Sequence, residues 1–596
     1  MSIVRALLAG ILATTAAFST TWQVSKNGND ASTTGPFLTI NKAAQVAQPG
    51  DSVIVRAGEY REWVKPARGG SSESARIVYK AAPGEVVEIK GSERVTTWVS
   101  QGNGVWKADL ADAFFAGYNP FSYTLEGKYP GEGGQYITSG QWCHLGEVYL
   151  DGQIFMEKQS LGEVQSTQKT WYTSRSGTTQ TIYANFGTAN PNTQLAEVNA
   201  REGIFGSSSV TSGINYVTVD GFRMSQSADA WKPPYTGGVS YAVIYPTGNN
   251  WIIRNCNIKY GKMRGMCLDG GSQNTIVRDN VITECGVGGI TGSSAHGSII
   301  SGNWISDIHG SRPYGGDEHG CVKFNTTRNV TICGNVLRKM IAPTQGRTIM
   351  CDYNGDGWRI TGNVLTEATE TLIYWLQNNF SSSSAIVVDN NVFIGSPYSG
   401  TQVYYVHNLY GQGGGSASGN NIVLGALTHV DDTAAKTITL TFTLSSTVAA
   451  QNNAIMTTAS LGTNAGNTFP GVSLNKDILN ECRTSTAKSG PFQKITSGAN
   501  TFIFRPNSKF LDNVPCGSST MVRDLRTPGM ASGLRVTGSS IVAHDGKQLS
   551  VVNSRGGVMA ASMSSDGRIS LRNLPPGVYH VRMRTDRGVQ VVSIVR

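Results

Sequence analysis

The chain has 596 residues, 71 of them Gly, and only 15% are Asp, Glu, Lys or Arg. Its hydrophobic residues, 39% of the total, form no long runs, which excludes a disordered chain and a multispan membrane protein. The net charge is +9, but residues 517–596 hold eleven Lys/Arg against four Asp/Glu, so +7 of it lies in the tail. The remainder carries no basic stripe, which excludes a nucleic-acid partner.

The first 21 residues read as an export signal. Arg5 supplies the positive end, Ala6 to Phe18 the short apolar segment, and Ser19, Thr20 and Thr21 the polar exit. That apolar segment is too short to span a bilayer, so a secreted or cell-surface protein is expected. Residues 22–91 predict an end cap and the first turns of a solenoid. Ile40 to Ala47 is a short amphipathic helix, and Pro49-Gly50-Asp51 turns the chain into a strand over Ser52 to Arg56. Between 92 and 205 the pattern changes to Trp-rich alternating segments such as GEVYLDGQIF and TIYANF, which predict an inserted β-sheet domain.

From 206 to 516 a phrase recurs: a β-branched segment, Gly or Asp, Asn, then an apolar pair. It reads IIRNCNI, TIVRDNVI, SIISGNWI, VTICGNVL, WRITGNVL and IVVDNNVF. Its asparagines are Asn257, Asn280, Asn303, Asn335, Asn363 and Asn391, spaced by 23, 23, 32, 28 and 28 residues. Short β-rich units at this period predict an all-β parallel β-helix, with Asn taking the left-handed bend and its amide bonding the next coil. Six of the nine cysteines fall in this region and read as small buried core residues. No CxxC spacing suggests zinc, and neither a metal nor a cofactor is expected; whether Cys482 and Cys516 pair stays open. A small-residue linker at 517–534 leads to 535–596, whose strands and Gly/Pro turns predict a small β-sandwich.

The acidic residues of the repeat region are candidates for chemistry: Asp269, Glu284, Asp317, Glu318, Asp352, Asp356, Glu367 and Glu370. Asp352 follows an apolar strand in TIMCDYNGDGW, where a carboxylate is costly unless paired or functional. Lys323, in CVKFN, lies one coil earlier, so a Lys323–Asp352 pair is expected, whether structural or functional.

These residues carry a resemblance. GEYREWVKPARGG (58–70), GYNPF (117–121), GEVYLDG (146–152), YGGDEHGCVKFN (314–325), IMCDYNGDGWRITGN (349–363) and YVHNL (405–409) resemble glycoside hydrolase family 120. The resemblance implies a right-handed parallel β-helix with an inserted β-domain, homo-oligomers, and retaining hydrolysis of short xylo-oligosaccharides. It implies Asp352 as nucleophile, and Glu318 and Lys323 as groups that hold sugar hydroxyls or orient it. Two departures stand out. Asn325 replaces the family's His, and the acid/base Glu falls near Trp375. Retaining hydrolysis uses two carboxyl groups about 5–5.5 Å apart, so Glu370, five residues upstream, is the first candidate to substitute, with Glu367, Asp356 and His319 as the others. His319, Asn325, Trp358 and Trp375 are expected to bind substrate, the tryptophans by stacking on sugar rings. The alternatives are a polysaccharide lyase with Lys323 as base and a non-catalytic glycan-binding β-helix. Residues 574–579 (LPPGVY) resemble the sorting domains of type IX secretion, which implies that secretion machinery is a partner.

Overall fold

The computed structural model describes the chain outside residues 1–18, 125–142, 207–212, 231–240, 270, 310–318, 343–344, 354, 377–385, 398–402, 413–420, 425, 446–476, 480, 482–490, 493–494, 509–533, 538–539, 544–548, 554–557, 560–567, 571–577, 586–587 and 596. The expected export signal (all but its last three residues), Glu318, Cys482, Cys516 and most of LPPGVY lie outside the described residues. The chain divides into two units, Met1–Asp512 and Asn513–Arg596.

The first unit is a three-sided parallel solenoid. Two of its sheets have eleven strands and the other seven, and neighbouring coils pair in parallel. Parallel sheets need both faces covered. Here the inner faces of all three cover one another through a continuous core of Ile, Val, Phe and Cys side chains. The seven described cysteines are all free and buried, six of them in the repeat. The solenoid's first end is closed by the helix Ile40–Val46, capped by the Thr39 side chain, which turns Ile40, Ala43 and Ala44 onto the core. That cover protects an end that would otherwise expose core and strand edge.

The corner between the two long sheets is built by asparagine. The Oδ1 of Asn303 accepts from the backbone N–H of Asn280 (3.0 Å) and from its side-chain amide (3.0 Å). Asn335, Asn363, Asn391, Asn408 and Asn421 repeat the arrangement coil by coil. All are buried. Two details differ from the sequence reading. Strand register aligns Asn257 with Val281, so the residue in line with Asn280 is Cys256, and Asn257 lies outside the ladder. The left-handed bend is taken by the residue before the ladder asparagines from Asn280 to Asn408: Asp279, Gly302, Gly334, Gly362, Asn390 and His407. This division of labour leaves the asparagine side chain free to point inward and satisfy backbone groups that a corner would strand.

Residues 92–199 leave the solenoid as a four-stranded antiparallel sheet and a five-stranded mixed sheet packed on Trp98, Phe121, Phe155 and Trp171. Glu197, fully buried, ties this insertion back to the solenoid through Arg61 (2.6 Å) and Lys90 (3.0 Å). Just beyond it, Asp229 accepts from Ser227 Oγ and from the backbone N–H of Met263 and Arg264. At the other end the parallel coils stop at Ile422–Val423. The expectation that the β-helix runs to 516 is corrected: Leu427–Asp432, Thr437–Leu444 and Gly498–Phe504 form an antiparallel sheet. Their strict alternation leaves one face to solvent, which antiparallel sheets tolerate. The second unit comprises antiparallel sheets of three and four strands.

Two outcomes are expected. Asn335→Ala strands the buried carbonyls of Ile300 and Cys333 and the amides of Asn303. It costs about 3 kcal/mol in urea denaturation, whereas exposed Asn257→Ala costs about 0.5 kcal/mol or less. Burial pushes the Asp229 carboxyl up to about 6, above its unfolded value of about 3.9. The folded state therefore holds this proton more tightly, and stability falls as pH rises from about 4 through about 6. Asp229→Asn flattens that part of the profile in melts taken across the range.

Candidate active site

Asp352 ends the strand Arg347–Asp352 of the seven-stranded sheet, between Gly320–Asn325 and Thr371–Leu376. Side chains alternate across this sheet. Phe324, Cys351 and Trp375 share a row and point inward, while Lys323, Asn325, Asp352 and Tyr374 belong to the outer face. Asn325 is the register partner of Asp352, so Lys323, two residues earlier, reaches it diagonally. Lys323 Nζ lies 3.1 Å from Asp352 Oδ2, and the two side chains are 1% and 3% exposed. The other oxygen, Oδ1, is buried with no hydrogen-bond partner among the described residues. A buried, unpartnered carboxylate oxygen beside a lysine is costly, which makes the pair a candidate for chemistry. The carboxylate is therefore covered rather than open to a cleft.

The turn after Asp352 is held tightly. A Cβ on Gly355 would meet Cys351 Sγ at 1.9 Å, so only glycine fits there. Tyr353 has a left-handed φ of 42°, unusual for a bulky residue, and is 45% exposed. It is the aromatic that sequence reasoning missed; its place next to Asp352 in TIMCDYNG was the available signal.

Several expected site residues stand elsewhere. Trp358 is fully buried; its Nε1 donates to Thr327 O (2.7 Å), and its ring packs edge-on against Phe324 and Trp375. Trp251 holds the same corner in an earlier coil, donating to Ile214 O. Trp375 is 5% exposed and faces the core. Neither tryptophan is placed to stack on a sugar, because both side chains belong to the solenoid core. His319 is buried edge-on against His309, away from solvent. Asn325 is half-buried beside Asp352.

Glu370 is not the partner of Asp352. Register places Leu376 opposite Asp352 and Thr371 opposite Arg347. At about 3.3 Å per residue, Glu370 therefore begins roughly 20 Å along the strand from the position facing Asp352. It pairs instead with Arg347 (2.9 Å), whose guanidinium lies 3.7 Å over the Tyr374 ring. Other acidic candidates are likewise engaged: Glu284 with Lys259 (2.7 Å), Asp269 with Cys267 (3.1 Å), and Glu367 with Arg338 (3.4 Å). Among the described residues, Glu367, His429 and Asp431 bring possible metal-ligand atoms within 4.8 Å of one another. The Arg338 guanidinium bonds both carboxylates and already supplies the positive charge.

Comparisons with known proteins agree with this architecture. Residues 95–170 match the model of the glycoside hydrolase 120 insertion domain, and residues 202–406 that of the right-handed β-helix region. The structure of XylC in complex with xylose is similar at a TM-score of 0.68 and 23% identity, covering 81% of this chain and all of that one. A glycoside hydrolase follows at 12% identity and a TM-score of 0.45, covering 68% of this chain and 94% of its own. The pectate lyase Pel9A has 10% identity and a TM-score of 0.40, with 80% and 97% covered. No curated protein matches in sequence. The chain is thus an all-β, right-handed parallel β-helix with an insertion that matches the glycoside hydrolase 120 insertion-domain model, in line with the resemblance read from its motifs.

The ion pair is separable by mutation. Lys323→Met leaves the Asp352 charge buried without its cation and costs about 3 kcal/mol in denaturant titration. Adding Asp352→Asn removes that charge and restores more than half of the loss. A double variant no more stable than Lys323→Met shows that the two side chains do not act as a unit.

Proposed function

We propose that this protein is a retaining glycoside hydrolase acting on xylo-oligosaccharides, with Asp352 as its nucleophile. The observation that carries the reading is the Asp352 carboxylate on the outer face of the solenoid. Lys323 balances one oxygen, and the other has no partner among the described residues, in a chain whose insertion matches the glycoside hydrolase 120 insertion-domain model. Oδ1 attacks the anomeric carbon, the glycosidic C–O bond breaks, and the leaving oxygen takes up a proton from solvent. Water then attacks the glycosyl ester and frees Asp352. Lys323 is a positioning residue that fixes the carboxylate's orientation. Asn325 and Glu318 hold sugar hydroxyls, and exposed Tyr353 offers the ring on which a sugar packs. The same reading has the protein exported and homo-oligomeric, with residues 535–596 engaging the secretion machinery.

Two alternatives weigh differently. A lyase needs a lysine free to take a proton, and the Lys323 ammonium is committed to Asp352. A non-catalytic glycan-binding role has one observation in its favour: the residue facing Asp352 on the next strand is Leu376, not a carboxylic acid.

Leaving-group chemistry decides between hydrolase and binder. With no acid on that strand, a dinitrophenyl xyloside, which departs without protonation, is expected to turn over at least about 10²-fold faster than xylobiose. Asp352→Asn abolishes both activities, and 2-fluoroxylosyl fluoride labels the Asp352 peptide in mass spectrometry. A flat dependence on the leaving group means that an acid reaches the bond from elsewhere, and hydrolysis stands. No turnover of any aryl glycoside, together with no label, leaves the binding role.

A further inference from the structure

A cavity of about 400 Å³ opens where the inserted domain rejoins the solenoid. Four aromatic residues line it, Trp63, Phe114, Phe115 and Tyr118, together with charged residues that include Arg201 and Glu202. Phe115 is buried, and the other three are half-buried. It is distinct from the Asp352 centre. The strand Phe205–Gly206 beside it ends the seven-stranded sheet, and Arg347–Asp352 lies five strands on. At about 4.8 Å per strand that is roughly 24 Å.

The walls are held in place before any ligand arrives. Trp63 Nε1 donates to Gly206 O (3.1 Å), and Val64 on its flank exchanges backbone hydrogen bonds with Ile204 and Gly206. The Trp63 ring meets Tyr241 edge-on at 4.9 Å and carries Lys65 Nζ 4.0 Å from its centre. Tyr118 Oη donates to Ala228 O (2.7 Å), and Arg201 is tied to Glu93. Such preorganisation lowers the entropy lost on binding.

The chemistry of the lining selects the ligand. Lys65 and Arg201 stand among Glu93 and Glu202, so charges of both signs are mixed in the lining and neither sign dominates it. Burial pushes the Glu202 carboxyl up to about 7, against the opposing pull of Lys65. Near neutrality it therefore both donates and accepts. Aromatic walls with a few convergent donors and acceptors, at a domain junction, are the features of a small-molecule site. Rings packing against C–H faces while polar groups bond hydroxyls fit a pyranose.

We propose that this cavity is a second sugar site, which holds one or two rings of a neutral oligosaccharide apart from the centre at Asp352. The sugar class rests on the hydrolase reading above; the existence of the site rests on the cavity. The test uses full-length Asp352→Asn protein, titrated calorimetrically with xylobiose and soaked with it as crystals. Two binding equivalents are expected, with sugar density against Phe114 and Glu202. Phe114→Ala and Glu202→Gln, each checked for an unchanged melting profile, weaken one equivalent about tenfold and leave the other. Sugar bound only beside Asp352, unaffected by either substitution, overturns the second site and leaves the proposed function intact. Sugar bound nowhere overturns the second site as well. If the aryl xylosides and the fluoride label also fail, the glycan reading falls with it.

Discussion

The fold depends on satisfying backbone hydrogen bonds at a corner that every coil must turn. A parallel solenoid pairs its strands with the coils above and below, but the backbone groups between strands have no ladder to join. Ladder asparagines such as Asn303, Asn335 and Asn363 close that gap by bonding both backbone and one another through the interior. Because each asparagine bonds the next, the register of one coil is transmitted to its neighbour. That constraint sets where every outer-face side chain stands.

The candidate site follows from it. Lys323 and Asp352 are 29 residues apart, close to the 28-residue spacing of the local asparagines, and the stacked coils bring them to 3.1 Å. The same register places Trp375 in the inward row and Leu376 opposite Asp352. A solenoid thus sorts residues into wall and site by parity along each strand. A single strand offers its outer face only every second residue, so the chemistry of a site must be assembled across coils rather than along one.

The period of the asparagine phrase made the solenoid legible, and one-coil separation made the Lys323–Asp352 pair legible. The rest was hidden for physical reasons. The corner residue before Asn280 tolerates Cys256 because its backbone N–H can still bond Asn280, so the ladder begins one residue away from the sequence alignment. Trp358 and Trp375 looked like sugar platforms because composition says nothing of which way a side chain faces. Glu370 looked near Asp352 because a few residues seem close in sequence, yet on a strand each adds about 3.3 Å.

The insertion explains why a uniform solenoid can hold two unlike places. Along the coils the outer face varies only by what each strand presents. Residues 92–199 break that regularity, and Glu197 fastens them back with a fully buried charge. A buried ion cluster of this kind is stable only when every partner is in place, so it fixes the angle of the insertion against the first coils. Phe114 and Tyr118 belong to the insertion, Trp63 to the solenoid. The cavity between them exists because that angle is fixed, just as the Asp352 centre exists because the register is. One is set by charge and the other by backbone pairing, and either can change without disturbing the other.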